Sequence, residues 1–230
     1  MINVKPMPNE NLKKYVMNKT PNPIGEYSLG DITVYVKEAL PDSIDLHKIL
    51  HFIRSTLPSE FYRNVDMIYI GRFPFLNAKQ ADAAFQDGAI YLSNQQTNSH
   101  DFVSDLIHEI AHSFEEVSQE MIYSDGKIEQ EFLAKRATLA EKLKERGFKI
   151  DQHNFSDPEF NVGFDRLLYN EIGYASLTPI TAGLFISPYA ATSLREYFAN
   201  AFEEFFVNDI AGVKQLAPSV YMKLIDYLDF

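Results

Sequence analysis

The sequence predicts an α+β fold, with a small mixed β-sheet and helices in the N-terminal half and helices alone in the C-terminal half. Runs of β-branched and aromatic residues typical of strands occur before residue 95. Beyond residue 119, apolar residues recur at the spacing of amphipathic helices. The 230 residues, 46% of them hydrophobic, suffice for one domain (1–230), which we expect to form two lobes around a cleft, about 1–118 and 119–230.

Apolar periodicity and turn signals place each element along the chain. In the N-terminal half, the predicted order is a helix at 8–18, a break at 20–25, a strand at 32–36, a helix at 41–57, a strand at 65–71, a loop at 73–75 and a strand at 88–94. A helix at 99–116 follows. The C-terminal half then has helices at 128–147 and 157–173, a loop at 177–188, and helices at 192–208 and 218–229. These segments do not determine the order of the strands.

The helix predicted at 99–116 contains the motif His108-Glu109-Ile110-Ala111-His112. Two histidines four positions apart lie on one face of a helix, so both imidazoles reach the same ion. This spacing is typical of zinc ligands, and Glu109 is placed to deprotonate a metal-bound water rather than to bind the metal. The sequence therefore predicts a metal site with His108 and His112 as ligands and Glu109 as general base.

A second pair of histidines, His47 and His51, has the same spacing but a different context. Lys48 stands where the general base would be, and no nearby residue completes a site. We therefore interpret this pair as part of a solvated helix face.

A catalytic zinc site of this kind needs one more protein ligand, and two glutamates are candidates. Glu131 lies 19 positions after His112, a spacing found in several zinc peptidase families, but its neighbours are charged and water can solvate it. Glu196 lies in a segment so apolar that its helix must be buried. A buried carboxylate needs a cation or hydrogen bonds to offset its desolvation, which favours Glu196 over Glu131.

Tyr189 lies seven residues before Glu196 and directly after Ser187-Pro188. A phenol at this place can donate a hydrogen bond to the oxyanion that forms when water attacks a carbonyl. With 13 tyrosines in the chain, Tyr189 alone would be read as an ordinary amphipathic residue. Its place before the predicted ligand favours a catalytic role.

Taken together, the histidine motif, Tyr189 and the segment Glu196-Tyr197-Phe198-Ala199-Asn200-Ala201-Phe202 resemble the catalytic domain of anthrax lethal factor and its relatives, which include the clostridial Pro-Pro endopeptidases. These proteins are zinc metallopeptidases of the gluzincin type. The resemblance covers about residues 68–206, and it depends on the joint pattern more than on any single motif.

The resemblance implies a zincin-like fold with the active-site helix between the two lobes. It implies one Zn²⁺ per chain with His108, His112 and Glu196 as ligands, Glu109 as general base and Tyr189 as oxyanion donor. It further implies that residues 89–94 form the edge strand along which an extended peptide pairs.

Two features depart from the family pattern. Asn200 stands where the family usually has a second glutamate, one turn after the third ligand, and Glu203 is a candidate substitute on the same helix face. The interval between His112 and Glu196 is also long, because a charged helix is predicted at 127–147, and we expect this inserted element to cover the cleft or to bind a partner.

Composition and charge limit the classes of partner. The net charge of −11 excludes a phosphate-binding surface and hence a nucleic-acid partner; it suits a basic peptide, although acidity that serves solubility explains the charge more simply. No cysteine is present, so disulfides and thiolate zinc sites are excluded. No apolar run has the length of a membrane span, and residues 1–22 show no secretion signal, so we expect a cytoplasmic protein if Met1 is the native start.

The sequence thus predicts a zinc-dependent endopeptidase that acts on a peptide or protein substrate, with Glu109 as general base. The alternative is a zincin-fold binding or interaction protein with weak or no turnover, which Asn200 favours. A purely structural protein whose histidines bind no metal is a further alternative.

Overall fold

The computed structural model describes residues 24–228, and the helix expected at 8–18 lies outside these residues. The fold is α+β, as predicted, with one mixed five-stranded sheet. Its strands are β1 (Gly25–Leu29), β2 (Ile32–Val36), β3 (Met67–Gly71), β4 (Ala83–Gln86) and β5 (Ala89–Ser93). The order is β1-β2-β3-β5-β4, in which the three inner strands are parallel and the two outer strands pair antiparallel to their neighbours.

The helices follow the strands in the chain, and the described part contains no strand after β5. They are α1 (Leu46–Thr56), α2 (Pro74–Lys79), α3 (Ser99–Tyr123), α4 (Lys127–Glu145), α5 (Val162–Arg166), α6 (Tyr174–Thr181), α7 (Leu194–Val207), α8 (Ile210–Leu216) and α9 (Pro218–Leu228). A π-helical turn at Leu167–Ile172 continues α5. Among the described residues, one compact unit ends at Phe114 and a second begins at Glu115, so the division falls within α3.

Alternation along the inner strands gives the sheet two different faces. One face is aliphatic, and its side chains are at most 1% exposed: Val34, Ile68, Ile70, Ile90 and Leu92. The opposite face carries Tyr35, Tyr69 and Tyr91, which are paired in register, with ring centroids 5.8 and 5.4 Å apart in the stack. Burial raises the pKa of Tyr69 to about 12, and the neighbouring tyrosines add to this shift.

In the second unit, α4 contributes one buried face and packs against α6, α7 and α9. Its Arg136 is 1% exposed, and the guanidinium lies 3.8 Å from the ring centroid of Phe164. Arg136 also donates to the backbone carbonyl of Asp157. The rings and the carbonyl offset the cost of burying this cation. This helix, expected to be an inserted element that covers the cleft or binds a partner, thus contributes to the core of the second unit.

Several sequence predictions were wrong at the level of single elements. The loop expected at 73–75 begins α2, because Pro74 presets the backbone of a first helical residue. The loop expected at 177–188 begins only after α6, in which the hydroxyls of Thr178 and Thr181 donate to carbonyls one turn back. Strands β1 and β4 and helix α8 were not predicted.

The edge-strand assignment was also wrong. Strand β5, which the resemblance suggested as the edge, lies between β3 and β4. The edge on this side is β4, joined to β5 by a turn at Asp87 and Gly88, both with positive φ. Positive φ at both central residues is the geometry of a tight two-residue hairpin. Any peptide that extends the sheet beyond β5 would therefore pair with β4.

Candidate metal centre

Helix α3 positions His108 and His112. Its apolar stripe is fully buried, which fixes the rotation of the helix: Phe102, Leu106, Ile107, Ile110 and Phe114. The two imidazoles lie one turn apart, with ring centroids 4.9 Å from each other. His112 is 8% exposed, and Asn64 donates to the carbonyl of the next residue, Ser113, at 3.1 Å. The histidines are thus held on a rigid, buried helix.

Helix α7 positions Glu196 in its first turn. Ser193 is the N-cap, and its hydroxyl accepts from the backbone N–H of Glu196 at 3.2 Å. Further along, the helix is buried by aromatic and small residues, as predicted: Tyr197, Phe198, Ala199, Ala201, Phe202 and Phe205. The cap and this burial hold the backbone of Glu196.

Three of the predicted site residues come together. One ligand atom each from His108, His112 and Glu196 lie within 4.8 Å of one another, and this is the one such group of three among residues 24–228. Two imidazoles and one carboxylate are a donor set suited to zinc, and three protein ligands leave a fourth position for water or substrate. The three residues could therefore hold a metal ion.

Glu109, the predicted base, follows His108 on α3, and its carboxylate contacts strand β4. Its side chain is 8% exposed, and its Oε2 accepts from the backbone N–H of Phe85 at 2.6 Å. Because Phe85 belongs to the edge strand β4, this hydrogen bond places the carboxylate of Glu109 directly beside that edge. The sequence analysis missed this contact, since β4 was not recognised.

Tyr189 begins a short 3₁₀ turn, Tyr189–Ala191, and its side chain is 38% exposed. The turn is attached to α7 through Asn200. Ser187 donates to Oδ1 of Asn200 at 2.6 Å, and the backbone N–H of Ala190 donates back to the Ser187 hydroxyl at 3.2 Å. Asn200 also donates to the carbonyl of Glu196 at 2.9 Å. Asn200 therefore links the Tyr189 turn to the helix that carries Glu196.

Glu131, the alternative ligand, is engaged elsewhere. It is partly buried rather than solvated, and one carboxylate oxygen accepts from the hydroxyl of Tyr197. The other accepts from the backbone N–H of Ser219, in the first turn of α9, at 2.9 Å. Glu131 thus joins three helices of the second unit. Glu203, the substitute suggested for Asn200, is partly buried on α7 and is not among the grouped ligands.

The surroundings of Glu196 are acidic. Burial raises the pKa of Asp165, and the negative charge of Glu196 adds to the shift. Burial likewise raises the pKa of Tyr174 to about 12, with smaller contributions from Asp165 and Glu196. Carboxylates that interact in this way favour a bound cation, since a cation relieves their mutual repulsion.

The second histidine pair is exposed, as predicted. His47 and His51 project from α1 into a shallow recess beside β1, which Glu26, Tyr27 and Arg54 also line. The ring of Tyr27 packs edge-on against His47, with centroids 5.0 Å apart. Within residues 24–228, no third ligand joins these histidines in a metal-binding group.

Comparisons of the chain with protein-family models, with curated protein sequences and with solved structures gave no match. Within residues 24–228, no helix has the length and apolarity needed to cross a membrane. The function is therefore argued from the site.

Proposed function

We propose that the protein is a metal-dependent hydrolase of the zincin-like class and, more particularly, a zinc endopeptidase similar to the lethal factor family. The observation that carries the proposal is the grouping of His108, His112 and Glu196, with ligand atoms within 4.8 Å of one another. The grouping of three protein ligands rather than four supports a catalytic rather than a structural metal, because structural zinc sites use all four positions for protein ligands.

The chemistry that zinc supplies when bound is Lewis acidity, which polarises a carbonyl and acidifies a water molecule. Glu109 takes the proton from the attacking water and returns it to the leaving amine. Tyr189 donates a hydrogen bond to the carbonyl oxygen as negative charge develops on it. His108, His112 and Glu196 would hold the metal, and the hydrogen bond from Phe85 orients the base.

A peptide substrate is supported by the contact between Glu109 and β4. An outer strand offers backbone groups to an extended peptide, and on β4 these exclude the N–H of Phe85, which already donates to Glu109. The base lies 2.6 Å from the backbone of this strand, so a peptide bond aligned along β4 would lie close to it. The net charge of −11 favours basic over acidic peptides.

The test combines metal analysis with cleavage of peptide pools. The purified protein is dialysed against zinc and then against buffer, and its metal content is measured. It is next incubated with pools of basic and of acidic peptides, and the products are identified by mass spectrometry. We expect one zinc per chain and cleavage within the basic pool.

Two variants serve as controls. Glu109→Gln should retain zinc and lose cleavage, whereas Tyr189→Phe should lower turnover with little change in zinc content. Undiminished turnover in Glu109→Gln would remove Glu109 from the mechanism. Zinc binding without cleavage of any pool by the unaltered protein would favour the binding-protein alternative, and absence of zinc would refute the metal site.

A further inference from the structure

A buried acid lies next to the proposed zinc ligands. The side chain of Glu115 is 1% exposed. On α3 it lies three positions after His112 and seven after His108, a spacing that places all three residues on one face of the helix. Glu115 is not among the grouped ligand atoms. A carboxylate buried to this extent needs partners, because its desolvation is otherwise costly.

The partners of Glu115 are a guanidinium and a phenol. Arg195 donates through Nε to Oε2 at 3.0 Å, and Tyr123, two turns along α3, donates through its hydroxyl to Oε1 at 2.6 Å. The side chain of Arg195 is 54% exposed, so in this ion pair Glu115 is buried whereas Arg195 is in contact with solvent. Both carboxylate oxygens of Glu115 are thereby hydrogen-bonded.

Arg195 immediately precedes Glu196 in the first turn of α7. The backbone of this turn is held by the Ser193 cap and by a hydrogen bond of 2.8 Å from the N–H of Leu194 to the carbonyl of Pro158. The pair of Glu115 and Arg195 adds a side-chain contact from α3, the helix that carries both histidines. Because Arg195 and Glu196 are consecutive, a contact that holds Arg195 acts on the same turn of α7 that carries Glu196.

We infer that Glu115 is a positioning residue of the metal site, which holds Arg195 so that the carboxylate of Glu196 meets the ion bound by the two histidines. The inference rests on the proposed zinc site and adds a residue outside the ligand set. Groups that orient metal ligands typically contribute a factor of about 10 to 100 in metal affinity. Loss of either member of the pair should therefore weaken zinc binding by about that factor.

A direct electrostatic effect predicts a different pattern. If Glu115 acted only through its negative charge, Glu115→Gln would weaken zinc binding, but Arg195→Gln would tighten it, because a positive charge near the cation is removed. Positioning predicts that both variants weaken binding. It also predicts that the double variant binds about as weakly as either single one, since the two side chains act as one unit.

The experiment measures zinc affinity by competition with a chromogenic chelator. The proteins are the unaltered chain, Glu115→Gln, Arg195→Gln, the double variant and the matched control Glu116→Gln, which removes the same charge from an exposed neighbour. Circular dichroism and thermal unfolding identify variants that fail to fold, and Arg195→Lys, which keeps the charge, should restore part of the affinity. Tighter or unchanged binding by Arg195→Gln, additive losses, or an equal loss in Glu116→Gln would overturn the inference.

A further set of variants, made in the Glu196→Gln protein, shows whether Glu115 affects zinc affinity by way of Glu196. In the Glu196→Gln background the remaining zinc affinity should not change when Glu115 is also replaced by Gln. A loss of the same size there would refute positioning through this ligand. If the unaltered protein binds no zinc, both the proposed site and this inference fail; if it binds zinc and Glu115→Gln binds equally well, only this inference fails.

Discussion

The hydrogen bond from the backbone N–H of Phe85 to Glu109 can be tested by removing the donor. Phe85→Pro deletes the N–H, and Phe85→Ala removes the side chain while keeping the N–H. Proline is tolerated on an edge strand where the N–H does not pair within the sheet. That condition is met, because this N–H is directed to Glu109 at 2.6 Å. Comparison of the two variants therefore isolates the backbone donor.

The size of the effect follows from the character of this bond. Glu109 is 8% exposed, so little water replaces a lost donor. Hydrogen bonds to charged groups contribute about 1.5–3 kcal/mol, and a buried carboxylate lies towards the upper end. For a chain of this length, that corresponds to a decrease in melting temperature of about 3–12 °C beyond the effect of Phe85→Ala.

The assay is thermal unfolding of both variants with Glu109 intact and again in the Glu109→Met background. Methionine removes the acceptor, so in that background Phe85→Pro should cost only the strain of the proline itself. The difference between the two backgrounds is the contribution of the bond. Equal costs of Phe85→Pro in both backgrounds would refute the conclusion that the edge strand holds the base.

Two further predictions concern the Tyr189 turn and the tyrosine stack. Ser187→Ala should lower turnover as Tyr189→Phe does while leaving zinc affinity within about twofold, because Ser187 holds the Tyr189 turn through Asn200 and is not one of the grouped ligands. A loss of zinc in competition titrations would contradict this prediction. Burial raises the pKa of Tyr69 to about 12, so the folded state favours the neutral phenol. The resulting stabilisation is complete below about pH 10 and is lost as the pH rises from about 10 to 12. Urea unfolding of Tyr69→Phe should therefore show a smaller loss of stability over this range than the unaltered protein, and equal losses would show that Tyr69 titrates normally.

The helical half of the fold was largely predictable, because long amphipathic helices leave a strong periodic signal. Helices α4, α7 and α9 lie close to their predicted positions, and α3 begins as predicted but extends to Tyr123 rather than ending at residue 116. Shorter elements were not predicted where their amino-acid composition is typical of a different kind of structure. Pro179 and the threonines of α6 resemble a loop, although the hydroxyls of Thr178 and Thr181 satisfy helical carbonyls. An Asp-Gly pair such as Asp87-Gly88 is typical of a hairpin turn, but the hairpin was not predicted, because the alanines of β4 are not typical of a strand.

Choosing between the two candidate glutamates required an argument about burial, because spacing alone favours Glu131. Its carboxylate binds Tyr197 and Ser219, which lie 66 and 88 positions further along the chain. The sequence alone does not reveal contacts this distant. Glu196 lies on a buried helix, as predicted, but Glu131 is also partly buried, and both of its carboxylate oxygens accept hydrogen bonds.

The backbone carbonyls of Asp157 and Pro158, which are consecutive residues, connect the buried Arg136 of α4 to the start of α7. Arg136 binds the first carbonyl, and the N–H of Leu194 binds the second. Both contacts use backbone carbonyls, so they depend on the course of the backbone at 157–158. Substitutions at Asp157 and Pro158 would therefore be the first choice for shifting Glu196, the proposed third ligand, without replacing it. This dipeptide is far from Glu196 in the chain, but Leu194, which is bonded to Pro158, lies only two residues before Glu196.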